Sequence, residues 1–225
     1  AQGLRQHVET ILSEIQPDYL TVLNEPDTLA SITGLEMTLD NYIFVLDRVT
    51  NDLNRGNTAI GAGAGNWNDL AYIEHVAKDK DINYVDIHFY PINRNFMIRL
   101  FEFGEIARQN NKRLVIGEAW LYKAGDSEPG GASASEIISR DVFSFWEPLD
   151  RRYLPMLARF AQQNRVEFVS AFWSKYFFAY IDYENTPIGL TPGQLLAKAD
   201  QAAVVNILAG NRTQTGETYR GLAQK

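Results

Sequence analysis

The sequence repeats one order of segments along its length: a stretch with helical periodicity, followed by a short apolar run. In residues 3–15 the apolar side chains, such as Val8 and Leu12, recur every three or four positions, which is the spacing of one helix face. Pro17 ends this pattern. The run at 19–25, YLTVLNE, follows at once. A run that is apolar at nearly every position predicts a strand buried on both faces.

The same order recurs four more times. Further strands are predicted at 57–65, 83–91, 113–120 and 166–173, and helices at 38–56, 69–78, 96–111, within 141–165, and at 191–210. Buried strands that alternate with helices form a parallel sheet covered by helices. We therefore predict a single α/β domain spanning residues 1–225. Two architectures fit this pattern, an open doubly wound sheet and a (β/α)8 barrel.

Polar and aromatic residues collect where the predicted strands end. They are Asn24 and Glu25, His88 and Tyr90, Glu118 and Trp120, and Trp173. In a (β/α)8 barrel the chemistry gathers at the carboxyl ends of several different strands. This distribution favours the barrel over the doubly wound sheet.

The strand at 83–91 gives the most direct view of which face bears the polar groups. Asp86, His88 and Tyr90 alternate with apolar residues. Because successive side chains of a strand point to opposite faces, these three share one face. We expect that face to line a site.

Composition excludes several functional classes. The net charge of −7 and the lack of a Lys/Arg cluster argue against nucleic acid as a partner. No apolar run is long enough for a membrane span. Cysteine is absent, which excludes thiolate metal sites, and GAGAGN lacks the spacing of a dinucleotide loop. We predict no cofactor and no metal.

Four of the strand ends carry a family resemblance. LNEP, HFYP, VIGEAW and SAFW resemble, in this order, the fourth, sixth, seventh and eighth strands of the retaining glycoside hydrolases of clan A, especially the family five type. The resemblance implies an incomplete (β/α)8 TIM barrel, with strands four to eight present and strands one to three missing. The missing part would carry any export signal and an Arg that keeps the nucleophile ionised. We therefore expect this chain alone to be aggregation-prone or inactive.

The resemblance also implies roles for individual residues. Glu25 would be the acid/base and Glu118 the nucleophile in the hydrolysis of β-linked sugars. Tyr90 would donate a hydrogen bond to Glu118, and His88 would contact the acid/base or the sugar. Asn24 would hold a sugar hydroxyl, while Trp173 and Trp120 would contact substrate. The expected partner is an oligo- or polysaccharide or another β-glycoside, and the family favours a secreted or periplasmic location.

Two other functions remain open from the residues. A carbohydrate-binding pseudoenzyme would keep the cleft without turnover, although both glutamates are present. A barrel aldolase or isomerase would normally use a catalytic lysine or a phosphate-binding loop. Lys175, just beyond the last strand, is the one candidate for such a lysine.

Overall fold

A computed structural model of the chain describes residues 1–125, 127–128 and 132–224. Within these residues five strands form one sheet in the order β1-β2-β3-β4-β5. The strands are β1 (Tyr19–Leu23), β2 (Ala59–Gly65), β3 (Tyr84–Phe89), β4 (Arg113–Ala119) and β5 (Val166–Ala171). All five predicted strands are present.

The strand order settles which of the two predicted architectures is present. The pairs β1–β2, β2–β3 and β3–β4 are parallel, and the spatial order follows the chain order. A doubly wound sheet reverses its order at a switch point, and no reversal occurs here. The predicted fold class is confirmed: the chain forms five parallel strands of an incomplete (β/α)8 barrel.

Nine α-helices lie within the described residues. They are α1 (Gln2–Glu14), α2 (Pro26–Thr33), α3 (Leu39–Thr50), α4 (Leu70–Lys78), α5 (Arg94–Gln109), α6 (Ala134–Ser139), α7 (Glu147–Gln163), α8 (Pro192–Ala209) and α9 (Gln214–Ala223). Helix α8 begins with a capping box, in which Thr191 and Gln194 are bonded reciprocally. Helices α2, α6 and α9 were not predicted from the sequence, because all three are short and Pro26 reads equally well as a turn residue.

The chain divides into two compact units. Unit 1 comprises 1–90, 94–119 and 164–170, and unit 2 comprises 91–93, 120–163 and 171–225. Unit 1 therefore holds β1–β4, most of β5 and helices α1–α5. Unit 2 holds α6–α9. No helix among the described residues is long and apolar enough to cross a membrane.

Strand β2 is built from small residues because a large side chain lies against it. A Cβ atom on Gly61 would approach the ring of Tyr84 in β3 to 2.1 Å. The Tyr84 side chain is 1% exposed and packs with Ala59 and Val115, while Tyr19 covers this cluster. The run AIGAGAG thus provides the space that an inward-facing tyrosine requires.

Side chains of the first and last strands also meet in unit 1. The Tyr19 hydroxyl donates to Glu167 Oε2 at 2.5 Å, and the Tyr19 and Phe168 rings lie 5.2 Å apart. Arg113 of β4 donates to the Tyr19 hydroxyl at 3.1 Å. Strands at opposite ends of the order can touch only if the sheet curves strongly, as barrel strands do.

Unit 2 has a buried ion cluster of its own. Lys123 Nζ lies 2.6 Å from Asp150 Oδ1 and 3.4 Å from Asp141 Oδ2, with all three side chains at most 3% exposed. The Tyr180 hydroxyl donates to Asp150 at 2.8 Å. Burial raises the pKa of Asp141 to about 7, against the lowering effect of the Lys123 charge. Buried charges persist in this way only when they are paired and hydrogen-bonded.

Helix α8 exposes an apolar face, and this leads to a prediction about self-association. Four of its apolar residues are more than half exposed: Val204, Val205, Ile207 and Leu208. We expect concentration-dependent association, reduced by Val204→Glu with Leu208→Lys, which form a helix-compatible i,i+4 pair. Light scattering after size-exclusion chromatography measures the change. The control is Ala197→Glu with Gln201→Lys, which places the same charged pair at exposed positions of α8 that are less apolar. It should leave association unchanged. If both double variants reduce association equally, the prediction is wrong.

Candidate active site

Three titratable side chains of unit 1 converge where β1, β3 and β4 end. His88 Nδ1 lies 2.7 Å from Glu25 Oε1 and 3.5 Å from Glu118 Oε2. One ligand atom from each residue falls within 4.8 Å of the others. The side chains are 16–19% exposed, so solvent reaches the cluster but does not surround it.

The pairing of β3 with β4 explains why Glu118 faces His88. Asp86 pairs with Val115, and two residues later His88 pairs with Glu118, so β4 contains one extra residue. Paired residues of neighbouring strands share a face. Strict alternation from Val115 would place Glu118 on the face opposite to His88. The extra residue in β4 shifts the alternation by one, so Glu118 lies on the same face as His88.

Glu25 reaches the cluster through an unusual backbone conformation. Its φ is 45° and its ψ 75°, in the left-handed region, and Pro26 starts α2 immediately afterwards. Asn24 Oδ1 accepts a hydrogen bond from the Glu25 N–H at 2.8 Å. A non-glycine residue in this region costs roughly 1–2 kcal/mol, and such strain concentrates at functional sites.

This strain predicts a stability change for Glu25→Gly. Glycine adopts the left-handed conformation freely, so we expect the free energy of unfolding to rise by about 1 kcal/mol. Thermal or urea unfolding measures the change. Gln16→Gly, at another left-handed residue with φ of 52°, should stabilise the protein similarly without altering any glycosidase activity. A destabilised Glu25→Gly variant would contradict the prediction.

Tyr90 is placed against Glu118. Its hydroxyl donates a short hydrogen bond to Glu118 Oε1, and its own side chain is almost buried. The buried Asn66 accepts from the Tyr90 N–H at 3.1 Å and fixes the chain beyond β3. The Trp67 ring lies 5.8 Å from the Tyr90 ring and donates through Nε1 to Asp27.

The electrostatics of the cluster follow from burial and from these contacts. Burial raises the pKa of Glu118, while the Tyr90 hydrogen bond and the His88 charge oppose the rise. Burial alone would lower the pKa of His88, but its hydrogen bond to Glu25 and the charges of Asp86 and Glu118 raise it. The cluster therefore favours a protonated imidazole between two carboxyl groups.

The raised pKa of Glu118 predicts the effect of Tyr90→Phe. This substitution removes a hydrogen bond that lowers the Glu118 pKa, so the pKa should rise further. If Glu118 must be ionised for turnover, the acidic limb of kcat/KM moves to higher pH. The same raised pKa makes the stability of the fold depend on pH. Because the pKa of Glu118 is higher in the folded than in the unfolded protein, protonated Glu118 stabilises the fold at low pH, and this stabilisation is lost as pH rises through the folded pKa.

Rate profiles and an NMR titration of the glutamate carboxyl carbons measure the Tyr90→Phe shift. Tyr72→Phe is the control, because it removes a hydroxyl of unit 1 that bonds Met37 O instead. An acidic limb that stays in place, or moves to lower pH, would contradict the assignment.

The same cluster offers donor atoms that suit a metal ion. Glu25, His88 and Glu118 each present one such atom. However, His88 Nδ1 already bonds Glu25, and Tyr90 already bonds Glu118. These bonds engage part of the donor set, and the absence of a metal stays a prediction.

The other predicted site residues are placed differently. Asn24 Nδ2 is shielded from solvent, and the Asn24 side chain interacts with the Asp86 carboxylate, whose pKa it lowers. Trp173 belongs to unit 2, is partly exposed and has Lys175 Nζ 5.4 Å from its ring centroid. Lys175 pairs with Asp200 at 2.6 Å, which does not suit the unprotonated amine that an aldolase lysine needs.

Trp120 requires a correction. Its side chain is 0% exposed and packs against Tyr153, Tyr176 and Phe177 in unit 2. A ring with no exposed surface cannot offer a face to a sugar. We assign Trp120 a packing role in place of the predicted substrate contact.

The alternation in the strand at 83–91 predicted that Asp86 lies on the face of the site but gave it no role, and nothing in the sequence predicted Thr21. Both residues contribute to the base of the site: Thr21 Oγ1 donates to Asp86 Oδ2 at 2.6 Å. Thr21 carried no comparable signal, since threonine is ordinary in a strand.

No family model matches the sequence, and no curated relative matches it. Three solved structures resemble the chain in fold. A protein described as CbXyn10B in native form has a TM-score of 0.49 and 17% identity over 76% of this chain and 55% of its own. An endo-1,4-β-xylanase from Caldicellulosiruptor owensensis has a TM-score of 0.48 and 14% identity over 80% of this chain and 61% of its own.

The third structure, a mutant in complex with xylotriose, has a TM-score of 0.48 and 15% identity, covering 90% of this chain and 68% of its own. The chain thus spans little more than half the length of the first of these proteins. With identities of at most 17% and TM-scores below 0.5, function has to be inferred from the geometry of the chain itself.

Proposed function

We propose that the protein containing this chain is a retaining glycoside hydrolase acting on β-linked sugars, with Glu25 as acid/base and Glu118 as nucleophile. The supporting observation is the separation of the two carboxylates. An oxygen of Glu25 and an oxygen of Glu118 lie within 4.8 Å of each other. Retaining enzymes hold their two carboxyl groups about 5–5.5 Å apart, whereas inverting enzymes leave about 6.5–9.5 Å for a water molecule.

The proposed reaction proceeds in two displacements. In the first, Glu118 attacks the anomeric carbon, the glycosidic bond breaks, and Glu25 gives its proton to the leaving oxygen. In the second, Glu25 takes a proton from water, which attacks the anomeric carbon and releases Glu118. The same pair serves both steps because Glu25 alternates between acid and base.

The surrounding residues support these roles. The proposed protonated His88 is adjacent to both carboxyl groups, so it can stabilise the negative charge that moves between them. Tyr90 keeps a hydrogen bond on Glu118 and opposes the rise of its pKa. Asn24, adjacent to Glu25, is proposed to contact a sugar hydroxyl, because hydrogen bonds of this type strengthen in the transition state.

The test is the stereochemistry of the first product. The protein is incubated with a panel of aryl β-glycosides and with xylotriose, and proton NMR follows the anomer formed before mutarotation. We expect the β-anomer, and labelling by a 2-deoxy-2-fluoro glycoside at Glu118 in peptide maps. An α-anomer as first product, or a label on another residue, would overturn the proposal. Binding of these sugars without turnover would favour the pseudoenzyme.

A further inference from the structure

Asp86 is a buried carboxylate directly beneath the proposed catalytic residues. It is 3% exposed and lies two residues before His88 on the same face of β3, about 7 Å along the strand. Its Oδ2 accepts from Thr21 Oγ1 at 2.6 Å, and its Oδ1 accepts from the Gly117 N–H at 2.8 Å. The two bonds connect β3 to the two strands that lead to the glutamates.

Both bonds reach those strands at irregular points. Next to β2, the pairing passes from Thr21–Gly61 to Leu23–Ala62, so β1 carries one extra residue. Next to β3, the pairing passes from Asp86–Val115 to His88–Glu118, so β4 also carries one extra residue. An extra residue leaves a backbone group outside the ladder. The Asp86 carboxylate accepts from Gly117, within the irregular part of β4.

Gly117 is suited to this contact because it has no side chain. A Cβ atom there would lie 2.5 Å from Asp86 Oδ1 and 2.6 Å from Oδ2, and atoms do not approach that closely. The residue that follows is Glu118, whose face depends on the extra residue in β4. The Asp86 carboxylate can therefore bond the irregular part of β4 only because residue 117 is a glycine.

Asp86 also contributes charge to the cluster. Three carboxyl groups act on His88: Glu25 after β1, Asp86 on its own strand and Glu118 on β4. Tyr90, beyond β3, bonds Glu118, and β2, AIGAGAG, has no ionisable side chain. Burial raises the pKa of Asp86, while Thr21, His88, the Gly117 N–H and the Asn24 side chain oppose that rise. The hydrogen bonds to Asp86 thus favour its anionic form.

We propose that Asp86 is a positioning residue: a buried anion that fixes the irregular turn of β4 so that Glu118 faces Glu25, and that helps to keep His88 charged between them. Asp86 does not touch the reacting atoms. Its catalytic consequence rests on the proposed function, but its effect on the β4 backbone and on His88 does not.

The experiment compares Asp86→Asn with the unsubstituted protein by NMR. The chain has three histidines, so His7 and His75 serve as internal references in a pH titration of the imidazole signals. We expect the His88 titration to move to lower pH and the Gly117 amide signal to shift, while His7 and His75 stay in place. In an active protein, kcat should fall on the order of 100-fold through misplacement of Glu118, with a smaller change in KM.

Two further variants separate the possible causes. Tyr84→Phe removes a hydroxyl that lies 2.9 Å from Thr21 Oγ1 but leaves the Asp86 carboxylate and both of its bonds intact. It controls for loss of packing and should not move the His88 titration. Gly117→Ala keeps the charge but displaces the carboxylate, so kcat should fall while His88 moves less than in Asp86→Asn. This variant also tests the proposal if Asp86→Asn does not fold.

The proposal is overturned if Asp86→Asn shifts neither the His88 titration nor the Gly117 amide signal by more than the control Tyr84→Phe does. The same holds if Gly117→Ala retains full kcat in an active protein. Because the NMR measurements need no turnover, they decide the positioning role even in an inactive protein. A lack of glycosidase activity in the unsubstituted protein would count against the proposed function alone.

Discussion

Replacement of Glu118 by alanine is expected to lower kcat on the order of 10⁴-fold or more, because no other group can form the covalent intermediate. Added azide should restore part of the activity by attacking the anomeric carbon from the vacated side. The product would then be a glycosyl azide of inverted configuration. Steady-state kinetics with an activated aryl β-glycoside and NMR of the product measure both effects.

The control for this loss is Glu36→Ala, which removes an exposed carboxylate of unit 1 and should leave kcat unchanged. Circular dichroism of both variants checks that the fold is kept. Turnover within tenfold of the unsubstituted protein in Glu118→Ala would rule out Glu118 as the nucleophile. A retained glycosyl azide would show instead that the two glutamates have exchanged roles.

Replacement of Glu25 by alanine should have an effect that depends on the leaving group. General acid catalysis contributes about 10²–10⁴-fold, and a substrate with a poor leaving group needs it most. We therefore expect a loss of that size for alkyl β-glycosides or oligosaccharides and a much smaller loss for dinitrophenyl glycosides. Azide should now give the retained product, since Glu118 still forms the intermediate.

A plot of log kcat/KM against leaving-group pKa tests this expectation, because its slope should be steeper for Glu25→Ala than for the unsubstituted protein. Glu25→Gln is the matched variant: it keeps the shape of the side chain and loses the proton. Equal slopes in all three proteins would remove Glu25 from the acid/base role and would also weaken the interpretation of its strained backbone.

Much of the fold followed from local patterns in the sequence. Runs such as YLTVLNE and VEFVSAFW are apolar at most positions, and the only stable place for such strands is a sheet covered on both faces. Alternation with helical stretches then required parallel pairing. The shared face of Asp86, His88 and Tyr90 was also readable, because β3 pairs with β2 residue for residue from Tyr84 to His88 and successive side chains of a regular strand point to opposite faces.

Aromatic residues show where such patterns stop being informative. Trp120 and Trp173 look alike in sequence, each following the end of a strand. Burial separates them: Trp120 lies among Tyr153, Tyr176 and Phe177 with no exposed surface, whereas Trp173 remains partly exposed. Which of two tryptophans is buried depends on side chains distant in the sequence, and no local spacing encodes that.

The sequence alone determined which residue types stand at the ends of the strands, but it could not determine which face each one takes. Counting by twos from Val115 places Glu118 on the wrong face, away from His88. The extra residue in β4, seen only in its pairing with β3, and the Asp86 carboxylate that accepts from Gly117 turn Glu118 toward Glu25. The physical reason is that a one-residue change of register reverses every side chain beyond it, and register depends on contacts between strands.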